Sequence, residues 1–400
     1  MKSLGLLGLL LLVPGCAAAQ EPAGGGDLRW DGEFGLAVAQ SGGRLEVRWI
    51  THEAQPGVVR ALDAAGGVLQ EARTRRGREH VARLRVPSGA FRLQYGSRGE
   101  GGQHETWIHP APAPAPVEIS EVDSLFVVGD VHGEYDRLLV LLGNAGVIDD
   151  AHRWAAGRAH LVLLGDLMDR GPEVTRLLWF IYGLERQAES AGGRVHVVLG
   201  NHEIMVFTSD DRYVHSKERM LAEAHGVPYA TLFDIRESVL GRWLVTKPGM
   251  LRIGDILFAH GGVSSDYLSH SVTSFGDTLR SFMSEDLFYN WADESFPVTV
   301  DSAALARRND FFWSERSVFW DRGYVQTDTR DAELSQVLEE FGSSIMVVAH
   351  TPQPSIAARY GGRVLAIHPR EPALEMLLIL RGEPERRIFR VPLIGPPQPL

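Results

Sequence analysis

The chain carries two kinds of hydrophobic pattern in succession. Across 27–109, apolar and polar residues alternate: Leu45, Val47 and Trp49 with Glu46 and Arg48; Leu84 and Val86 with Arg83 and Arg85; Phe91, Leu93 and Tyr95 with Arg92 and Gln94. A period of two sends successive side chains to opposite faces of a strand, and turn residues at Gly66-Gly67 and Pro87-Ser88-Gly89 separate the runs. The pattern predicts a small antiparallel β-sandwich. From residue 122 to 393 the pattern changes. Continuous apolar runs, Leu125 to Val128, Leu161 to Leu164, Val195 to Leu199, Ile256 to Ala259 and Ile345 to Ala349, predict buried strands, with helical periodicity near 134–144 and 172–190. Val364 to Ile367, Leu374 to Leu380 and Arg387 to Leu393 predict the closing strands of a second sheet. The whole predicts a layered α/β domain with its chemistry at strand ends.

Between the two patterns, the alternating Pro/Ala stretch of 110–117 predicts a stiff, extended connector. At the start, Lys2, an apolar run from Leu4 to Val13 and then small residues form the plan of a secretory leader over 1–19, too short to span a bilayer. Two processing readings stand side by side. Val13-Pro14-Gly15-Cys16 resembles a lipoprotein box that would place a lipid on Cys16, whereas Ala17-Ala18-Ala19 offers an ordinary cleavage site. Either one implies an exported protein of the periplasm or cell envelope. Cys16 is the only cysteine, so a processed chain has no internal disulfide and depends on core burial and metals for stability. The net charge of -11 becomes -12 once Lys2 is removed, which argues against nucleic acid as a partner.

Each predicted core strand ends in metal-capable residues: Gly129-Asp130-Val131-His132-Gly133, Gly165-Asp166-Leu167-Met168-Asp169-Arg170-Gly171, Gly200-Asn201-His202-Glu203, His260-Gly261-Gly262 and His350-Thr351. Strand ends of an open α/β sheet face one crevice, so five distant loops can deliver side chains to one point. Carboxylate, imidazole and amide oxygen without thiolate favour manganese, iron or zinc, and the number of donors suits two ions. A buried cluster of acids and histidines with no metal would be costly to desolvate.

These five motifs, in this order, resemble those of the phosphoprotein phosphatase family within the calcineurin-like metallophosphoesterases. The resemblance, over 122–393, implies an αββα domain, two mixed sheets flanked by helices; the leading sandwich of 27–109 is read separately as fibronectin-III-like. The resemblance also implies that Asp130 and His132 hold one metal, that Asn201, His260 and His350 hold the other, and that Asp166 bridges them. A water shared by ions about 3.5–4 Å apart would become hydroxide and attack phosphorus in line with the leaving oxygen. Arg170 would grip phosphate, and His202, oriented by Asp169, would protonate the departing alkoxide. Trp320-Asp321-Arg322-Gly323-Tyr324 is similar to a segment of the bacterial Shewanella-like branch, which points to Arg322 as a second phosphate ligand, with Arg316 as the alternative. The implied partner is a phosphorylated protein, peptide or small molecule. Hydrolysis of dinucleoside polyphosphates and an inactive binding or scaffolding lipoprotein are the alternatives.

Outside the motifs, Glu203 is read as a supporting carboxylate, and His152, His196, His215, His225 and His368 as surface or packing residues. Tyr213, Trp243, Phe288, Tyr289 and Trp291, in insertions at 208–248 and 264–312, are aromatic candidates for packing or for a substrate wall.

Overall fold

The computed structural model describes residues 35–97, 103–289, 302–382 and 386–400. The leader at 1–19, with Cys16, and Trp291 lie outside the described residues. Five strands form the expected all-β unit: β1 (Ala37–Ser41), β2 (Arg44–Leu62), β3 (Val68–Arg85), β4 (Phe91–Ser97) and β5 (Gln103–Ile108). They make one antiparallel sheet, in which β2 lies between β1 and β3 in its first half and between β3 and β4 in its second. The register shifts between Ile50 and Gln55, and the two halves then close on each other. Trp49, fully buried in the first half, stands against Gly57 in the second, where a Cβ would come within 2.6 Å of the indole. Its Nε1 donates to the Gly96 carbonyl at 3.3 Å. The layers of this unit are thus two halves of one bent sheet.

The Pro/Ala connector does not hold this sheet away from the rest of the chain. Trp179 Nε1 donates to the Leu36 carbonyl (3.0 Å), the His109 N–H donates to Tyr182 Oη (2.8 Å), and the Arg186 guanidinium lies 3.9 Å over the Trp107 ring. A polar and an aromatic seam therefore runs along the helix that carries Trp179, Tyr182 and Arg186.

The remaining strands form two six-stranded sheets. The first contains β6 (Glu118–Ile119), β10 (Met250–Ile253), β11 (Ile256–Ala259), β12 (Ile345–Val348), β13 (Ala357–Arg359) and β14 (Val364–Ala366); the second contains β7 (Ser124–Val128), β8 (His160–Leu163), β9 (Arg194–Val197), β15 (Glu375–Leu380), β16 (Arg387–Pro392) and β17 (Gln398–Pro399). Each sheet has a parallel trio, β11, β12 and β14 in one and β7, β8 and β9 in the other. Leu125, Val127, Val162 and Leu164 of the second sheet share one buried cluster with Phe258, Val347, Ala349 and Ile367 of the first. Burying these runs against each other stabilises by about 25 cal/mol per Å² of apolar surface removed from water.

Helices α1 (Tyr135–Asn144) and α2 (Val174–Ser190) follow β7 and β8, with Leu138, Leu141 and Leu142 of α1 and Leu177, Leu178, Ile181 and Leu184 of α2 buried at helical spacing. Helix α3 (Asn201–Phe207) follows β9, and α4 (Ser216–Ala224) packs beyond it. Among the described residues no helix is long and apolar enough to cross a membrane.

Glu218 of α4 is buried and accepts hydrogen bonds from Thr175 N (3.2 Å) and Oγ1 (2.6 Å) at the start of α2. Burial pushes its carboxyl from 4.5 up to about 7. Because the folded value lies above the unfolded one, this contribution to stability is complete below pH 4.5 and is lost as pH rises through about 7. Glu218→Gln, which cannot ionise, should gain on the wild type in melting temperature between about pH 5 and 8, by at most on the order of 3 kcal/mol. Melting curves that stay parallel across that range would show that Glu218 carries no buried charge.

Candidate metal centre and active site

All six parallel strands end at the same crevice, and the residues just past their ends meet there. Asp130 follows β7, Asp166 follows β8, Asn201 follows β9, His260 follows β11 and His350 follows β12. Reaching one point requires unusual backbone. Among the described residues eight non-glycine positions have positive φ, and five of them are His132, Asp166, Asp169, Arg170 and His350. Such conformations cost on the order of 1 kcal/mol or more each and persist where the surroundings impose them. Gly165, at φ +83°, shows how close the approach is: a Cβ there would lie 2.6 Å from Gly200 N and 2.8 Å from His260 Nδ1.

Glu203 supplies much of that imposition. Its Oε1 accepts the N–H groups of Leu167 (2.8 Å) and Met168 (3.1 Å), and its Oε2 those of Asp166 (2.9 Å) and Gly200 (2.7 Å). One fully buried carboxylate thus closes the loop after β8 against the turn into α3.

Asp166 lies at the centre. Its Oδ2 is 3.2 Å from His260 Nε2, 3.8 Å from His132 Nε2 and 3.9 Å from His202 Nε2, and its Oδ1 accepts the His202 N–H at 3.0 Å. Two groups with the geometry to hold a metal share it: His132, Asp166 and His202, and Asp166, His260 and His350. Asn201 Oδ1 lies 3.0 Å from His260 Nε2, and Asp130 Oδ2 lies 3.8 Å from His132 Nε2.

The histidines are held in the form a metal needs. His132 Nδ1 lies 2.9 Å from the Met168 carbonyl and His260 Nδ1 2.7 Å from the Leu164 carbonyl, which assigns the proton to Nδ1 and leaves Nε2 free to coordinate. His132 Nε2 and His350 Nε2 are buried with no hydrogen-bond partner. Burial, with Arg170 nearby, lowers His132 to about 3, and burial also lowers His350, so both are neutral at physiological pH. Burial would lower His260 too, but the Asp166 carboxylate outweighs it and lifts the imidazole to about 9. The positive charge that a proton supplies at His260 is what an ion would supply. Orphaned imidazole nitrogens around a shared carboxylate, with no thiolate, fit a pair of metal ions.

Beside this cluster stands a second group. His202 Nδ1 lies 2.7 Å from Asp169 Oδ2, and its Nε2 lies 3.3 Å from Arg170 Nη2. Burial lowers the His202 pKa, but Asp166 and Asp169 outweigh it and the net shift is upward. Arg170 is also paired with Glu371, at 3.1 Å. Arg322 reaches the same crevice, with Nη1 donating to the His350 carbonyl at 3.1 Å. Arg316 is instead engaged by Asp266 (2.9 Å) and Glu333 (2.7 Å).

Tyr213 lies beside the His202 ring at 5.4 Å, whereas Trp243 and Phe288 are packed against Tyr182 and Phe312. His196 stacks its Nε2 on His160 Nδ1 at 3.0 Å, His215 caps α4, His225 is buried and His152 is exposed. His368 requires a correction. It is neither a surface nor an ordinary packing residue, because it follows β14 into the crevice and puts Nδ1 2.8 Å from Asp130 Oδ2. The signal that could have found it is the one used for the others, an apolar run ending in a polar residue at Ile367-His368; it lacks the glycine neighbours of the longer motifs.

Residues 124–365 match the calcineurin-like phosphoesterase family. An uncharacterized protein of Schizosaccharomyces pombe is 31% identical over 61% of this chain and 71% of its own length. Shewanella-like protein phosphatase 2 of Arabidopsis thaliana is 26% identical over 40% of this chain, which spans 52% of that relative. The crystal structure of a cold-active protein-tyrosine phosphatase of a psychrophilic Shewanella superposes with a TM-score of 0.70 at 27% identity, covering 92% of this chain and 99% of that one. A coverage of 92% exceeds what the two six-stranded sheets and their helices can supply, so the likeness extends into the N-terminal sheet.

Glu203 gives the sharpest test of how the centre is built. In Glu203→Gln, the amide nitrogen faces two backbone N–H donors where an oxygen accepted them. The expected result is a loss of about 2–4 kcal/mol in the metal-free protein, with weakened metal retention. A variant that melts like the wild type would show that the loop after β8 does not depend on this carboxylate.

Proposed function

Because this chain belongs to the calcineurin-like phosphoesterase family of metal-dependent hydrolases, we propose that it hydrolyses phosphomonoesters, with phosphorylated proteins or peptides as the substrate class. The observation that carries this reading is the Asp169–His202–Arg170 group set against the metal cluster, since holding a metal for structure alone would require neither the Asp169 partner of His202 nor the Arg170 guanidinium beside it.

Asp130, His132 and Asp166 would hold one ion, and Asp166, Asn201, His260 and His350 the other. Bound there, the pair would supply Lewis acidity toward phosphoryl oxygens and the ionisation of a water near neutral pH. Arg170, beside His202, and Arg322, bonded to the His350 carbonyl, are assigned to the phosphate oxygens, which their planar forks match. Asp169 accepts the Nδ1 proton of His202 and so fixes Nε2 toward the reacting groups. His202 in its protonated form would deliver a proton from Nε2 to the leaving oxygen. The leader read at 1–19 makes the cell envelope the proposed compartment, reached either with a lipid on Cys16 or by ordinary cleavage at Ala17-Ala18-Ala19.

Phosphate release by metal-stripped protein, with manganese, zinc or iron restored, should be measured on an aryl phosphate, phosphopeptides and a dinucleoside tetraphosphate. Metal-dependent release, abolished in Asp166→Asn, is the expected result, with phosphopeptides preferred. Release from the tetraphosphate alone would move the substrate class. No release with two ions bound would favour a binding protein.

The proton donor has its own signature. Since His202 must be protonated to act, kcat on an alkyl phosphate should fall on the alkaline side as pH rises through the His202 pKa. Asp169→Asn removes a carboxylate that raises it and should shift that limb to lower pH. His202→Ala should slow alkyl phosphates by about 10²–10⁴ and aryl phosphates far less. Equal losses on both substrates would remove His202 from the role of acid.

A further inference from the structure

The two halves of the metal cluster are unequal in the residues that the motifs supply. On one side Asn201, His260 and His350 join the shared Asp166; on the other, only Asp130 and His132 do. Beside the poorer half stands a residue from outside the motifs, His368. β14 is the parallel neighbour of β12, with Val348 paired to Ala366, so its end emerges beside the end that carries His350. His368 is the second residue beyond β14, as His350 is the second beyond β12. Its position is fixed by the backbone: Ile367 N donates to the Val348 carbonyl and Gln353 N to the His368 carbonyl, both at 2.8 Å. Gly129, next to Asp130, is close enough that a Cβ there would lie 3.0 Å from the Ile367 carbonyl oxygen.

The side chain is 3% exposed, and Nδ1 stands 2.8 Å from Asp130 Oδ2. That separation makes a close contact with the carboxylate, yet Nδ1 is buried without an aligned hydrogen bond. His132 Nε2 and His350 Nε2 are in the same condition. Two donors that share an ion stand close in this way without bonding to each other, because each directs a lone pair at the ion.

Resting on the two-ion reading above, we propose that His368 is a further protein ligand, through Nδ1, to the ion held by Asp130 and His132. Each ion then has four protein donors: Asp130, His132, Asp166 and His368 for one, and Asp166, Asn201, His260 and His350 for the other. The added imidazole makes the first position nitrogen-richer and favours zinc or iron there over manganese.

The test is proton NMR of the full chain loaded with cobalt(II), with cobalt counted by atomic absorption. Each coordinated imidazole contributes one strongly shifted, solvent-exchangeable ring N–H. Two bound cobalt ions and four such signals are expected, from His132, His260, His350 and His368, with one signal lost and three retained in His368→Asn. The same variant should bind one of its two cobalt ions at least roughly tenfold more weakly. Two cobalt ions with only three signals in the wild type would overturn the proposal and leave His368 as an outer partner of Asp130. Four signals that all survive the substitution would also overturn it. Binding of fewer than two cobalt ions would instead overturn the two-ion reading on which the proposal rests. The wild-type count needs no variant, so a poorly folded His368→Asn does not remove the test.

Discussion

A buried carboxylate surrounded by imidazoles is the constraint on which the rest depends. Asp166 is 1% exposed, with His132, His202 and His260 within 4 Å of one oxygen. Removing such a charge from water costs several kcal/mol, and only close positive charge offsets it. In the metal-free chain, His260 provides that charge as a raised imidazolium; a metal pair would provide it more fully. The site is therefore assembled around an electrostatic debt centred on one side chain. Glu203 forms the mechanical counterpart, since its four accepted N–H groups hold the loop that aims Asp166.

Two sheets achieve what one could not. A single parallel sheet brings its chemistry to one line of strand ends, whereas here two parallel trios share a core and end on the same crevice. Asp130, Asp166 and Asn201 come from one sheet, and His260, His350 and His368 from the other. The acids and the amide, with His132 and His202 on their own side, thus face three imidazoles across the joint between the sheets. The left-handed conformations at His132, Asp166, Asp169, Arg170 and His350 are what this convergence costs the backbone.

Much of this was legible because strand and chemistry are adjacent in sequence. Apolar runs such as Val195 to Leu199 mark the strand, and the polar residues that follow mark its functional end. His368 escaped because a lone histidine after a short run, Val364 to Ile367, resembles a closing-strand residue unless the parallel pairing of β14 with β12 is known. That pairing joins residues that no local pattern connects. The N-terminal sheet escaped in a similar way. Alternation identifies the face of each residue, as with Leu45, Val47 and Trp49, but not that β2 runs on for 19 residues and bends so that Trp49 meets its own strand at Gly57. The connector at 110–117 was read from stiffness alone, while the docking depends on Trp179, Tyr182 and Arg186, far along the chain.

Arg170 shows how the site is balanced before substrate arrives. Its guanidinium is raised in pKa despite burial, because Asp166, Glu371 and Asp130 lie near it, and one arm is already bonded to Glu371. The Glu371 side chain is about half exposed, so its hold on the arginine is screened by water and weak. On the proposed phosphatase reading, a phosphate dianion would present more charge to the same fork in a drier place and would displace Glu371 toward solvent. The arginine is thereby kept extended and pre-aimed without being tightly occupied. Phosphate would then exchange one anionic partner for another at Arg170, whose guanidinium already has Glu371 in the free chain.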